Sequence, residues 1–192
     1  MSEAPILSSY SPDAIGPGRL ILVVGPSGAG KDTLLALARS ACAKDKDVVF
    51  PRRVVTREAS LSEDNAQLGP EGFREARDRG EFALHWEAHG HSYGLPRSID
   101  DDLRAGCAVV VNVSRTVIDT ARRAYANVIV IAITAPPEIL AERLKMRARG
   151  SDSGVEQRLG RSVDAAAPDV TIVNVGRPED HAGRLLRTIK GE

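Results

Sequence analysis

The 192-residue sequence predicts an α/β fold, a doubly wound parallel sheet with helices on both faces. Three observations carry that expectation. Short β-branched runs, "RLILVVG" (19–25), "AVVVNV" (108–113), "NVIVIAIT" (127–134) and "DVTIVNV" (169–175), are apolar throughout instead of alternating, as strands covered on both sides require. Helical patterns separate them, near 31–43, 115–125, 136–148, 155–165 and 178–190. A glycine-rich turn, "GPSGAGK", joins the first strand to the first helix.

Taken in order, residues 1–18 are rich in Pro, Ser and Gly and have no basic start or long apolar run, so a flexible lead-in is expected rather than a targeting signal. Residues 19–192 then form a single domain, in keeping with 20.5 kDa and 42% apolar residues. Residues 50–98 break the strand and helix rhythm. They are polar, rich in Arg, Gly and His, and read as an insertion over the ligand edge of the sheet, with Phe82 and Trp86 forming its small core. The segment "APPEILAERLKMRA" is punctuated by prolines in the first turn of a helix. It leads into "RARGSDSG", so residues 147–156 read as an arginine-bearing lid.

The 26 basic and 26 acidic residues cancel, and no global field draws the chain to nucleic acid or an anionic membrane. Any anion must be held locally. Arginine outnumbers lysine 21 to 5, which reflects either coding bias or selection for bidentate phosphate recognition. Cys42 and Cys107 have no metal or redox spacing and are expected to be buried, reduced thiols. No apolar run reaches membrane-spanning length, and a soluble, cytoplasmic protein is expected. No feature of the sequence specifies an oligomeric state.

"GPSGAGK" satisfies G-x-x-x-x-G-K in the strand-to-helix context that the phosphate-binding P-loop needs. Gly25, Pro26, Ser27, Gly28, Ala29, Gly30, Lys31, Asp32 and Thr33 are therefore the expected nucleotide-binding residues. Backbone N–H groups would cradle the phosphates and Lys31 would reach the β and γ positions. Asp32 stands where such loops carry Ser or Thr, and the strand "AVVVNVS" ends in Asn112 and Ser114 where an aspartate is usual. Two readings stand. Either the carboxylate and the neutral ligand of a Mg²⁺ site have exchanged places, or Asp32 only pairs with Lys31 or an arginine. The first carries more weight, because a hard dication needs an anionic oxygen nearby.

"GPSGAGKDTLL", "RRVVTREAS", "GEFALHWEAHGHSYGLP", "VVVNVSR", "ARGSDS", "EQRLGRS" and "VTIVNVG" together resemble the guanylate-kinase-like family, and within it the ribose 1,5-bisphosphate phosphokinases of phosphonate breakdown. The resemblance covers roughly residues 19–190. It implies a P-loop kinase with an acceptor-binding insertion and a closing lid. The implied reaction moves the γ-phosphoryl group of ATP, with Mg²⁺, onto the 1-phosphate of ribose 1,5-bisphosphate, giving 5-phosphoribosyl 1-diphosphate. A guanylate kinase is the nearer alternative, and a catalytically silent binding module the more distant one.

The resemblance also distributes roles. In the family's acceptor-phosphate pattern T-R-x-x-R, Thr56 and Arg57 match, but Ser60 replaces the second arginine. The two acidic positions that read guanine correspond to Leu84 and Ser114. Leucine accepts no hydrogen bond, and each purine group left unpaired would cost about 1–3 kcal/mol, so a base-free acceptor fits better. Tyr93, Asn112, Ser114 and Arg115 are the further substrate candidates, with Arg52, Arg53 and Arg97 as other cations for a second phosphate. Arg147, Arg149 and Arg158 are the candidates for transition-state charge, with Arg161 behind them, and Asn174 matches a position near adenine. His85, His89 and His91 lie in an irregular segment without cysteines, and ribose or phosphate contact is expected of them rather than a metal site.

Overall fold

Strand β1 (Arg19–Val24) is apolar along its whole length because it runs through the middle of a five-stranded parallel sheet. The computed structural model describes residues 13–56, 65–148 and 167–192. The sheet order is β2 (Val48–Val49), β7 (Ala108–Asn112), β1, β8 (Val128–Thr134) and β9 (Val170–Val173). The chain runs from β1 through α1 to β2 on one side and from β7 through α4 to β8 on the other, and the crevice at the carboxyl end of β1 is where an open α/β sheet with such a reversal binds ligand. The register sets Val23 beside Asn112, which carries Asn112 to that crevice.

Alternate residues of the sheet feed two cores. Ile21, Val23, Val110, Ile131 and Ile133 pack under helix α1 (Lys31–Ala41), α5 (Pro137–Ala148) and α6 (Pro178–Lys190), through Leu34, Ala38, Leu140, Leu185 and Ile189. Leu20, Leu22, Val109, Val111 and Val130 face α3 (Ile99–Arg104) and α4 (Ile118–Ala124), through Ile99, Leu103, Ile118 and Ala121. The expected helix near 115–125 is two pieces. A 3₁₀ turn, η1 (Arg115–Val117), begins at Ser114, whose Oγ accepts from Thr116 N at 3.4 Å, and α4 follows. The expected helix 155–165 and most of the expected lid lie outside the described residues.

The insertion folds into more than the sequence predicts. Four strands, β3 (Arg53–Val55), β4 (Asn65–Gln67), β5 (Phe82–Ala88) and β6 (His91–Pro96), form a second sheet in the order β4-β3-β6-β5, with α2 (Pro70–Asp78) against it. Phe82 and Trp86 do not share one core, as expected from sequence, but two. Phe82 stacks on Phe73 of α2 at 4.6 Å between centroids. Trp86 stacks on Tyr93 at 5.5 Å and joins Val55, Leu84 and Leu95 in the main core with Leu20 and Val109. The insertion is thus continuous with the core of the five-stranded sheet on one face.

Two further expectations change. The flexible lead-in does not extend to Ile15, which donates from its N–H to Ala124 O at 2.9 Å and accepts from Ala126 N at 2.9 Å, tying residues before β1 to the end of α4. Residues 1–12 lie outside the described residues. Cys42 is buried, but Cys107 is partly exposed, because it stands in the turn before β7 rather than within the strand. Burial raises the pKa of both thiols. No helix among the described residues is long and apolar enough to cross a membrane.

Candidate active site

The turn after β1 has the backbone of a phosphate cradle. Gly25 has φ 148°, and a Cβ there would run into the carbonyl oxygen of Ile133 on β8. Gly30 caps α1 at φ 84°, where a Cβ would meet the side-chain amide of Asn174. Neither place admits another residue without strain, so both glycines are dictated by how tightly the loop wraps. The amino terminus of α1 then aims its unpaired N–H groups and partial positive charge at the crevice.

Lys31, half-buried, folds back along this loop and donates through Nζ to Gly25 O at 2.8 Å and Pro26 O at 2.9 Å. Its neighbour Asp32 meets the end of β7: Asn112 Nδ2 donates to Asp32 Oδ1 at 3.1 Å. The carboxylate on the loop and the amide on the strand, widely separated in sequence, therefore share one spot beside the cradle. Asp32 Oδ2 and Asn112 Oδ1 stay available there as hard oxygen donors. That donor set fits Mg²⁺, which takes one or two protein oxygens and completes its shell with phosphate and water.

From this spot a cleft of about 400 Å³ runs along α1, lined by Asp32, Arg39, Ser40, Phe50, Arg53 and Asn112 among others. Arg53 spans it. Nη1 donates to Asn112 O at 2.9 Å, Nε donates to Asn65 Oδ1 at 3.3 Å, and the guanidinium carbon lies 5.9 Å from the centre of the Tyr93 ring. Arg39 lies over Phe50 at 5.6 Å.

The acceptor candidates divide. Tyr93 is buried in its stack with Trp86, and its hydroxyl makes no hydrogen bond among the described residues. Thr56 Oγ1 accepts from Ser92 N at 2.9 Å and so pins the strand that leads to Arg57. Leu84 is 2% exposed, inside the main core. Ser114 is occupied as the cap of η1, accepting from Thr116 Oγ1 at 3.0 Å, whereas Arg115 beside it is half-buried and its side chain makes no hydrogen bond or ion pair among the described residues. Arg97 is used structurally. It donates to Gly80 O at 2.6 Å and lies 3.5 Å from the buried Asp100, which accepts from Tyr125 Oη at 2.8 Å. Burial, then the Asp100 hydrogen bond, drives the Tyr125 phenol well above its usual pKa. Arg52 donates to Asn65 O at 3.3 Å.

Asn174 is 2% exposed and lies under the loop, donating through Nδ2 to Ala29 O at 2.8 Å. Arg143, a residue the sequence reading passed over, reaches Gly28 O at 3.3 Å and Asn174 O at 3.1 Å. One signal was available: Arg143 precedes Arg147 by four residues and so shares its helical face. Arg147 ends in the last turn of α5, while Arg57, Ser60, Arg149, Arg158 and Arg161 lie outside the described residues. His85 and His89 are exposed on the β5–β6 hairpin, and no group of three or more His, Cys, Asp or Glu among the described residues could hold a metal ion.

A protein of Bradyrhizobium diazoefficiens described as ribose 1,5-bisphosphate phosphokinase PhnN is 61% identical over 194 residues, covering 100% of this chain and 98% of its own length. Another of the same description, from Rhodopseudomonas palustris, is 64% identical over 176 residues, covering 92% of this chain and 90% of its own. This chain belongs to the ribose 1,5-bisphosphate phosphokinase family. Among solved structures, guanylate kinase from Anaplasma phagocytophilum superimposes with a TM-score of 0.64 at 24% identity, over 92% of this chain and 86% of that one. That likeness shows the fold, an α/β P-loop domain of guanylate-kinase type. No family model matches the chain. In this chain the hydrogen bond between Asn112 and Asp32 brings an amide and a carboxylate to one location beside the loop.

Proposed function

We propose that this chain transfers the γ-phosphoryl group of ATP to the 1-phosphate of ribose 1,5-bisphosphate, releasing ADP and 5-phosphoribosyl 1-diphosphate. The observation that favours this acceptor over GMP is at the two base-reading positions. Leu84 is sealed in the core and Ser114 is spent on capping η1, so neither offers an acceptor to a guanine edge. Family membership supports the same acceptor. A place in phosphonate breakdown is part of the same reading.

An oxygen of the 1-phosphate is already ionised at neutral pH, so the reaction needs no general base. That oxygen forms a bond to the γ-phosphorus as the bond from the γ-phosphorus to the β,γ-bridging oxygen breaks, and ADP carries away the electron pair. Two anions must be aligned in line and their repulsion neutralised. Lys31 would leave Gly25 O and Pro26 O for the β and γ phosphates. Residues 25–33 would supply the surrounding N–H donors. Arg57, Tyr93, Asn112 and Arg115 would hold the acceptor, and Arg147, Arg149 and Arg158 would meet charge developing on the equatorial oxygens. Bound Mg²⁺, held by Asp32 with Asn112, would neutralise phosphate charge.

The deciding experiment is ADP release from Mg-ATP by the purified protein with ribose 1,5-bisphosphate or GMP as acceptor. Turnover with the sugar bisphosphate and not with GMP is expected; the reverse would make this a divergent guanylate kinase. Asp32→Ser removes the carboxylate at the shared spot and is expected to raise the Mg²⁺ concentration for half-maximal activity by about tenfold. A magnesium titration superimposable on that of the unmodified protein would return Asp32 to a simple charge or hydrogen-bond partner.

A further inference from the structure

The carbonyls of a phosphate cradle are a hazard, since each one turned inward opposes the anion that the N–H groups attract. In this loop the carbonyls of residues 25–30 other than Ser27 each accept a hydrogen bond from a described residue. Gly25 O and Pro26 O accept from Lys31, and Gly30 O accepts from Leu34 N at 3.1 Å within α1. Of the three between them, Gly28 O and Ala29 O are reached from other elements, by Arg143 Nη1 of α5 at 3.3 Å and Asn174 Nδ2 after β9 at 2.8 Å.

These two side chains form one device. Arg143 Nη2 donates to the backbone oxygen of Asn174 at 3.1 Å, and Asn174 N donates to Thr134 O at 2.7 Å, so the pair is anchored to the end of β8. The Asn174 amide is turned to give its NH₂ to the loop although this leaves its own Oδ1 buried and without a partner. Rotating the amide would set oxygen against the Ala29 carbonyl, so its orientation is fixed by the loop. Lys31 is needed by the phosphates and can let go of its carbonyls; Arg143 and Asn174 are not and can stay.

We infer that Arg143 and Asn174 are positioning residues for the donor's phosphates, holding the Gly28 and Ala29 carbonyls outward so that the N–H groups of the loop converge on the anion. The inference rests on the reading of this loop as an ATP site. It concerns the phosphates and not the base or sugar of the nucleotide, which makes it separable. The probe is inorganic tripolyphosphate, which has no base, measured as an inhibitor competitive with ATP.

Arg143→Met is expected to raise both the inhibition constant of tripolyphosphate and the KM for ATP about tenfold, with the KM for ribose 1,5-bisphosphate at saturating ATP changed less than about twofold. Arg143→Lys, which keeps a donor for one of the two carbonyls, should fall between Arg143→Met and the unmodified protein and guards against a general folding defect. A tripolyphosphate constant unchanged in Arg143→Met overturns the inference. So does a rise in the KM for ATP without one for tripolyphosphate, which would mean that Arg143 touches the nucleoside instead. If tripolyphosphate and ATP both fail to bind the unmodified protein, the ATP reading itself falls.

Discussion

Replacing Lys31 with alanine is expected to lower kcat with ATP by about a thousandfold or more while leaving the protein folded. On the proposed reading the ammonium group is the positive charge of the cradle that follows the γ-phosphoryl group as charge moves onto its oxygens. Its present partners, Gly25 O and Pro26 O, belong to half-buried residues that water can reach after the substitution. Losing those two contacts should therefore cost only about 1 kcal/mol. ADP release and thermal unfolding measured on the same preparation separate the two effects. Retention of more than about a tenth of the activity would remove Lys31 from the mechanism.

The second large effect belongs to Gly25. Gly25→Ala asks an L-residue to hold φ 148° and drives its Cβ into the Ile133 carbonyl, which is backbone in the middle of the domain and cannot swing aside. Either β1 separates from β8 at its carboxyl end or the loop rebuilds, and both disorder the cradle. A loss of about 3 kcal/mol or more in stability is expected, together with loss of ATP binding. Gly72→Ala is the control. It lies in α2, its nearest neighbour to a new Cβ is Leu68 at 3.8 Å, and it should hold or raise stability by about 0.5–1 kcal/mol. A Gly25→Ala melting curve matching that of Gly72→Ala would refute the described loop geometry.

The parts of the molecule legible in the sequence are those written in period and punctuation. β1, β7, β8 and β9 are continuous apolar runs because both faces of the sheet are covered, and α1, α5 and α6 carry their caps and prolines in view. The insertion hid its strands for a physical reason. β5 alternates Phe82, Leu84 and Trp86 inward with His85 and Glu87 outward, while β3 is only three residues long and begins with an arginine. Its outward polar residues diluted the apolar signal. In the site, Asp32 and Asn112 were linked from sequence because each broke an expected pattern. Arg143 and Asn174 act on backbone carbonyls, which leave no mark on residue types, so Asn174 was found for another reason and Arg143 was passed over.

The second sheet has a consequence for attempts to change what this fold accepts. Val55, Leu84, Trp86, Tyr93 and Leu95 are set into the same apolar mass as Leu20, Val109 and Val111, so the inserted segment is not a cassette clipped onto a finished scaffold. Transplanting residues 53–96 from a relative would replace one wall of the host's interior along with any acceptor contacts they were chosen to carry. Grafted specificity in this architecture has to travel with its matching core.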